Sequence, residues 1–452
     1  MRKLFFDHAL LPSGWASSVA VDASDGWITA VRADTAPEGR ERVAGIALPG
    51  LPNLHSHTFQ RGMAGLTELA GPSADNFWTW RQAMYRFLAR LTPDDVEAVA
   101  AYAMMRMLEG GHTALAEFHY LHHDPDGRPY ADPAELCARI AAAADATGMG
   151  LTLLPAFYAQ GGFGGAPLDE GQRRFAHDVP GYLRLLDGAR GAVAALDDAA
   201  VGIAPHSLRA VTPAALGEIL AANPAGPVHI HAAEQVREVE DCLAWSGQRP
   251  VAWLLDHAAV DGRWCLVHAT HLTPEETVGL ARSGAVAGLC PITEANLGDG
   301  VFEGAGFLAA GGRFGVGSDS NVEISAPGEL RQLEYGQRLK HRARNVLAGR
   351  GSASTGRTLY DGALAGGAQA MGRRIGALEP GRRADIVVLD AAHPDLAAVS
   401  ADGWLDAYVF VAGAAAISTV FVAGRTLVSD GRHRGRDAIT ARYITALQGL
   451  VG

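Results

Sequence analysis

The stretch Leu51–Met63, LPNLHSHTFQRGM, sets two histidines one residue apart at the end of an apolar run. Side chains of an extended strand alternate between faces, so His55 and His57 point the same way. Two imidazoles on one face can begin a metal site, and an ordinary hydrogen-bonded rim pair has the same spacing. Partners elsewhere in the chain decide between the two. VHIHAAE supplies His229, His231 and Glu234, WCLVHATHL supplies His268 and His271, and GRFGVGSDSNVE supplies Asp319 after a run that reads as a buried strand. Several imidazole nitrogens with a carboxylate suit zinc or a comparable first-row divalent ion. Glu234, three residues after His231, is placed for proton transfer rather than for a simple helix-start ion pair with Arg237.

Residues so distant in sequence meet only if the elements between them repeat. Candidate strands end near His57, His119, Phe157, His206, His231, His268, Cys290 and Asp319, with amphipathic segments such as TPDDVEAVAAYAMMRMLEGG and DPAELCARIAAAADATG between them. Thr92-Pro93-Asp94-Asp95 is a helix start: Thr92 caps, proline occupies the first turn, and two acids face the positive end. A strand–helix repeat with about eight strands predicts an α/β fold, a closed (β/α)8 barrel, with a doubly wound open sheet as the alternative. The C-terminal strand ends of such a barrel converge on one face and can gather His55, His57, His231, His268 and Asp319 around one point. His229 shares its strand face with His231, and His271 falls at a helix start.

Both chain ends differ from this middle. Residues 1–48 and 378–452 hold short β-rich runs broken by Gly and Asp, including a turn at Asp25-Gly26, and neither piece is large enough for its own core. One small β-sandwich domain built from both ends, around a barrel of residues 49–377, is the economical arrangement, with a last helix near Asp437 to Leu450. The Gly-rich stretch 159–180 lacks the GxxxxGK[ST] pattern of a phosphate loop, leaving a flexible surface excursion or a cover over the substrate.

Composition narrows the partners. The 452 residues are 48% hydrophobic and 19% charged, as expected of a globular protein with a substantial core. A formal charge of −11 disfavours nucleic acid. No apolar run is long enough to span a membrane, and MRKLFFDHALLPSGW makes a poor signal peptide, so no membrane partner is expected. Cys137, Cys242, Cys265 and Cys290 form no CxxC pair, which argues against a disulfide framework and fits a cytoplasmic protein.

In order along the chain, LPNLHSH, VHIHAAE, LVHAT and GVGSDS, followed by GRRADIVVLD, resemble the amidohydrolase superfamily of metal-dependent hydrolases. The resemblance covers essentially the whole chain and implies that His55, His57, His231 and Asp319 bind metal. The fourth-strand lysine of binuclear members is absent from VGIAPHSLR, which implies a single ion. Zinc is expected, with Fe2+ or Mn2+ as alternatives. HAAE is similar to the HxxE of the deaminase branch, which implies catalytic roles for Glu234, His268 and Asp319. Within that branch PNLHSHTFQRGMAGLTE, WTWRQAMY, TALAEFHYLHH and PHSLRAV look like the family of formimidoylglutamate deiminases. That closer likeness implies a small dicarboxylate amidine as substrate, with Arg81 and Arg209 as carboxylate clamps and Gln60, Tyr120 and His206 completing the pocket. It also implies a homodimer. The competing readings are a deaminase of a cyclic amidine such as a purine or pterin, kept open by Trp78, Trp80 and Phe163, and a non-catalytic metal-binding module.

Overall fold

The computed structural model describes residues 1–70, 75–349 and 351–451. The chain opens with β1 (Arg2–Leu11), β2 (Gly14–Ser24), β3 (Trp27–Arg32) and β4 (Glu41–Pro49). The β2–β3 turn falls at Asp25-Gly26, both at positive φ (52° and 86°), which the right-handed twist of a tight hairpin demands. Four further strands return at the other end: β14 (Ile386–Leu389), β15 (Ile417–Val422), β16 (Arg425–Ser429) and β17 (Arg432–His433). They join the first four in one hydrogen-bonded sheet of order β17-β16-β15-β14-β4-β1-β2-β3, in which β14 lies antiparallel to β4. Period-two alternation gives this sheet two buried faces. Leu4, Phe6, Val19, Val21, Ile386, Val388 and Phe421 enclose a core of their own, while Leu48, Val387, Leu389, Val420 and Val422 join the main core.

Between these ends runs the barrel. Its strands are β5 (Leu51–Ser56), β6 (His112–His119), β7 (Gly150–Phe157), the short pair β8 (Ala200–Val201) and β9 (Ala204–Pro205), β10 (Val228–Ala232), β11 (Trp264–His268), β12 (Val286–Leu289) and β13 (Arg313–Val316). All neighbouring pairs are parallel. Bridges Ile203–Val228 and Ser56–Asp319 close the ring, so the closed barrel, not the open sheet, is the fold. β8 and β9 together form the fourth stave. At the break sits Gly202, where a Cβ would meet the Pro227 carbonyl oxygen at 2.6 Å.

Helices cover the barrel where the sequence placed them. Thr92 caps α2 (Pro93–Glu109) in a reciprocal box with Asp95, and Asn76 caps α1 (Phe77–Leu88) in the same way with Thr79. The last helix, Arg436–Val451, lies on α2 and stacks Tyr443 on Tyr102 with ring centroids 3.9 Å apart. The Gly-rich stretch is anchored at its far end. Phe175 is buried, Gln172 donates to the Tyr158 hydroxyl at 2.8 Å, and Arg174 donates to the carbonyls of His123 and Leu88.

Candidate active site

The top of the barrel is assembled by unusual backbone. His268, the last residue of β11, and Asp319, three residues past the end of β13, sit at φ +67° and +43°, and Ala233, beside Glu234, at +53°. Left-handed backbone at non-glycine residues is costly and persists only where surroundings over-determine it. At Asp319 those surroundings are explicit. The amide of Asp319 donates to the His55 carbonyl at 3.0 Å and the amide of His57 donates to the Asp319 carbonyl at 2.9 Å. Asn321 ties the same turn to β5, donating to the His57 carbonyl (3.1 Å) and the Ser56 hydroxyl (3.0 Å). Gly317 permits the approach, since a Cβ there would lie 2.6 Å from the His55 carbonyl oxygen.

Four donors converge at this point. The Nε2 atoms of His55 and His231 are 3.2 Å apart, and Asp319 Oδ1 is 3.4 Å from Nε2 of both His55 and His57. Zinc–nitrogen bonds of roughly 2.0–2.1 Å in a tetrahedral shell separate the donors by about 3.4 Å, so these spacings fit one ion. Two of the other ring nitrogens are already spent, while His55 Nδ1 has no partner. His57 Nδ1 donates to the Phe118 carbonyl at 2.7 Å and His231 Nδ1 to the His206 carbonyl at 2.9 Å, which fixes Nε2 as the free lone pair. Burial pushes His55 down to about 3 and lowers His57 and His231 as well, so all three are neutral and available as ligands. Burial alone would raise Asp319, but the neighbouring imidazoles of His55, His268 and His57 hold it well below the usual carboxylate range.

Beside this cluster, His268 stands among three carboxylates. Its Nε2 is 3.8 Å from Glu234 Oε1 and 4.0 Å from Asp319 Oδ2, and its Nδ1 is 3.3 Å from Glu294 Oε1. Burial opposes its charge, yet Glu234, Glu294 and Asp319 together raise its basicity. Glu234 is itself buried, and that burial raises its carboxyl above the usual range against the pull of His268 and Arg209. A carboxyl poised in this way can both give and take a proton near neutrality.

The cavity above is lined by Gln60, Arg81, Tyr120, His206 and Arg209 among others. Every site residue expected from the sequence therefore lines this cavity or, as with His55, sits at its metal-binding floor. Arg209 is 8% exposed, 3.6 Å from Glu234 Oε2, and its Nε has no partner; Arg81 Nε is likewise buried and unpaired. Gln60 donates to the Tyr120 hydroxyl at 2.7 Å, and burial keeps the His206 imidazole neutral. His229 is not part of the site; its ring donates to the Ala370 carbonyl at 2.8 Å, deeper in the barrel.

Trp78, offered by the sequence as a stacking wall, takes a different place, and three further participants escaped the sequence reading. Trp78 lies beneath three guanidiniums, with Arg81 and Arg237 4.7 Å and Arg209 5.7 Å from its ring centroid. Glu294 holds His268, Asn321 stitches β13 to β5, and buried Glu117 accepts from the amide and hydroxyl of Thr58 at 2.8 and 2.7 Å. Their signal was weak because none belongs to a spaced pair of like groups. The carboxylate of Glu294 in PITEANLG, four residues after Cys290, was the one readable hint.

Comparison with known proteins agrees with this geometry. Residues 46–427 match the family model "Amidohydrolase family", and residues 1–45 match "Formimidoylglutamate deiminase HutF, N-terminal domain". The chain is similar to a formimidoylglutamate deiminase of Pseudomonas aeruginosa, 54% identical over all of both chains, and to an 8-oxoguanine deaminase of the same organism, 28% identical over 90% of this chain and 88% of that one. Among solved structures it resembles an amidohydrolase from Brucella melitensis, with a TM-score of 0.96, 52% identity and full coverage of both chains. An adenosine deaminase from Xanthomonas campestris with bound zinc, 22% identical over 99% of this chain and 98% of that one, shares the fold at a TM-score of 0.81. The chain belongs to the amidohydrolase family.

Proposed function

We propose that this chain hydrolyses N-formimidoyl-L-glutamate to N-formyl-L-glutamate and ammonia, a deimination step of histidine degradation. The observation that carries the reading is the pair of guanidiniums, buried Arg209 and half-buried Arg81, each with a buried Nε that has no partner, in the same cavity as a one-ion donor set. Cations desolvated without full partners suit an anionic ligand, and guanidinium matches carboxylate in bidentate geometry. The full-length likeness to a formimidoylglutamate deiminase supports the same substrate.

His55, His57, His231 and Asp319 would hold one divalent ion, zinc in our reading, which supplies Lewis-acid activation of water by lowering its pKa toward roughly 7. Iron or manganese accepts the same donors. Asp319 orients the water and takes its proton as the new C–O bond forms at the formimidoyl carbon. Glu234 delivers a proton to the imine nitrogen in the same step. When the tetrahedral carbon collapses, Glu234 takes the hydroxyl proton and passes it to that nitrogen, the C–N bond breaks, NH3 departs as the carbonyl forms, and the proton held by Asp319 returns to Glu234. His268, held by Glu294, donates toward the oxygen that becomes this carbonyl. Gln60, Tyr120 and His206 shape the pocket, and the two arginines orient the glutamate carboxylates.

Assays of arginine variants against substrate esters test this reading. Neutral truncation of Arg81 or Arg209 lowers kcat/KM by an amount matching roughly 1.5–3 kcal/mol, as expected for a hydrogen bond to a charged group, with metal content unchanged. Each variant loses less against the monoester lacking its partner carboxylate. Equal losses toward the dicarboxylate and both monoesters, with metal loss, would overturn the clamps. A cyclic amidine remains the second reading because Phe77, Trp80 and Tyr85 also line the cavity. Ammonia release from a purine or pterin panel but not from formimidoylglutamate would select it. We further place the protein in the cytoplasm, a compartment suited to four buried free thiols, as a homodimer on family resemblance.

A further inference from the structure

Outside the barrel centre, a second group of buried donors lies against the outer end of β6. His119 ends that strand, His122 and His123 follow it, Cys137 is in the first turn of the helix Glu135–Thr147, and His177 precedes the helix Val179–Val193. His119, His122 and Cys137 are 0%, 1% and 0% exposed, and one donor atom from each lies within 4.8 Å of the other two. Nδ1 of His122 has no hydrogen-bond partner, and the two ring nitrogens of His119 have at most a poorly aligned contact with the Leu121 backbone. Imidazoles packed only for shape would leave these buried nitrogens uncompensated, which interiors avoid.

Orientation points the same way. His122 donates through Nε2 to the Ala156 carbonyl at 2.9 Å, which leaves Nδ1 as its free lone pair. This is the arrangement that His57 and His231 show at the barrel centre, where a carbonyl fixes one nitrogen and frees the other. The group also has a route to solvent. His177 is partly exposed, and its ring stands 4.7 Å from that of His123 and 5.1 Å from that of His122, with His119 5.6 Å beyond His122. A file of imidazoles thus leads from the surface to the thiol.

We propose that His119, His122 and Cys137 form a second metal site that takes monovalent copper. Thiolate and imidazole are the soft donors that suit this ion. Charge selects it over zinc. Two neutral imidazoles and one thiolate carry a single negative charge, so a monovalent ion leaves the buried group neutral, whereas a divalent ion leaves a net positive charge beside the Arg174 guanidinium, which binds the His123 carbonyl. Binding breaks the Cys137 S–H bond and forms a copper–sulfur bond. The proton leaves to solvent, and no oxidation state changes. Rotation of His119, held at most by the Leu121 backbone, draws its nitrogen toward the other two donors.

The test titrates zinc-loaded full-length protein with Cu(I), under reductant and without oxygen, against a chromophoric Cu(I) chelator. Wild type should bind one equivalent, with sulfur and nitrogen neighbours in the X-ray absorption spectrum. Cys137→Ser and His119→Asn should each weaken binding by more than the roughly 10–100-fold cost of losing an outer partner of a metal ligand. Their hydrolysis of formimidoylglutamate should stay at the wild-type rate, which separates this site from the barrel centre. No uptake by wild type, uptake unchanged in Cys137→Ser, or capture of a second zinc in preference to Cu(I) would each overturn the proposal.

Discussion

Glu234 and Glu294 sit on opposite sides of His268 and do different work. Glu234 reaches the cavity, so Glu234→Gln should retain the metal and lose roughly 10²–10⁴-fold in single-turnover rate, the usual worth of a general acid–base group. A near-normal chemical step in the metal-loaded variant would remove it from proton transfer. Glu294, which also accepts from the Cys290 amide at 2.9 Å, meets His268 at its far nitrogen, 3.3 Å away, and should act by holding that ring. Glu294→Gln keeps a hydrogen-bonding group at the same length, so kcat should fall less than in Glu294→Ala while KM and metal content hold steady. A matched rise in KM for both variants would instead mean that the pocket has moved. The contrast explains what was legible. His55, His57, His231 and Asp319 could be read because strand ends in a barrel point to one place. Glu294 could not, because a lone carboxylate in the short helix Pro291–Leu297 has no like group at a matching spacing to set it apart.

At the level of elements, the sequence located strand ends better than strand continuity. His119, Phe157 and His268 close β6, β7 and β11 where expected. β13 stops at Val316, three residues before Asp319, because the chain there leaves regular pairing and crosses to β5. The fourth stave was equally hard to see, since Gly202 splits it into two short pieces around the Pro227 carbonyl. Gly317 offers a test of the crossing. An added Cβ would press on the His55 carbonyl oxygen at 2.6 Å and on the His55 Cβ at 2.8 Å. Gly317→Ala should therefore displace Asp319 from His55, lowering metal affinity and turnover together. Metal titration by calorimetry would show this, and wild-type affinity in a folded variant would mean that the turn absorbs the methyl without moving the ligand.

For the molecule as a whole, the donors join β5, β10 and the segment after β13, which are far apart in sequence; β5 adjoins the segment after β13, and β10 faces them across the closed ring. An ion bound there stabilises only the folded chain, by about 2.7 kcal/mol at a hundredfold excess over its dissociation constant. Chelation should lower Tm, and restored zinc should raise it in a concentration-dependent way. Beneath the ions, Glu117 adds a pH dependence of the opposite kind from an exposed acid. Burial pushes its carboxyl up to about 8, against a usual value of 4.5, despite the two Thr58 donors. Between those values the folded chain holds a proton that the unfolded chain has released, so stability is fully present below 4.5 and is lost as pH rises through 8. Glu117→Gln keeps an acceptor for Thr58 without the titration and should flatten that fall, which denaturant melts of the metal-free protein from pH 5 to 8 would measure. An identical slope in both proteins would mean that Glu117 is solvated and ionised in the folded state, and that the wall behind Thr58 admits water.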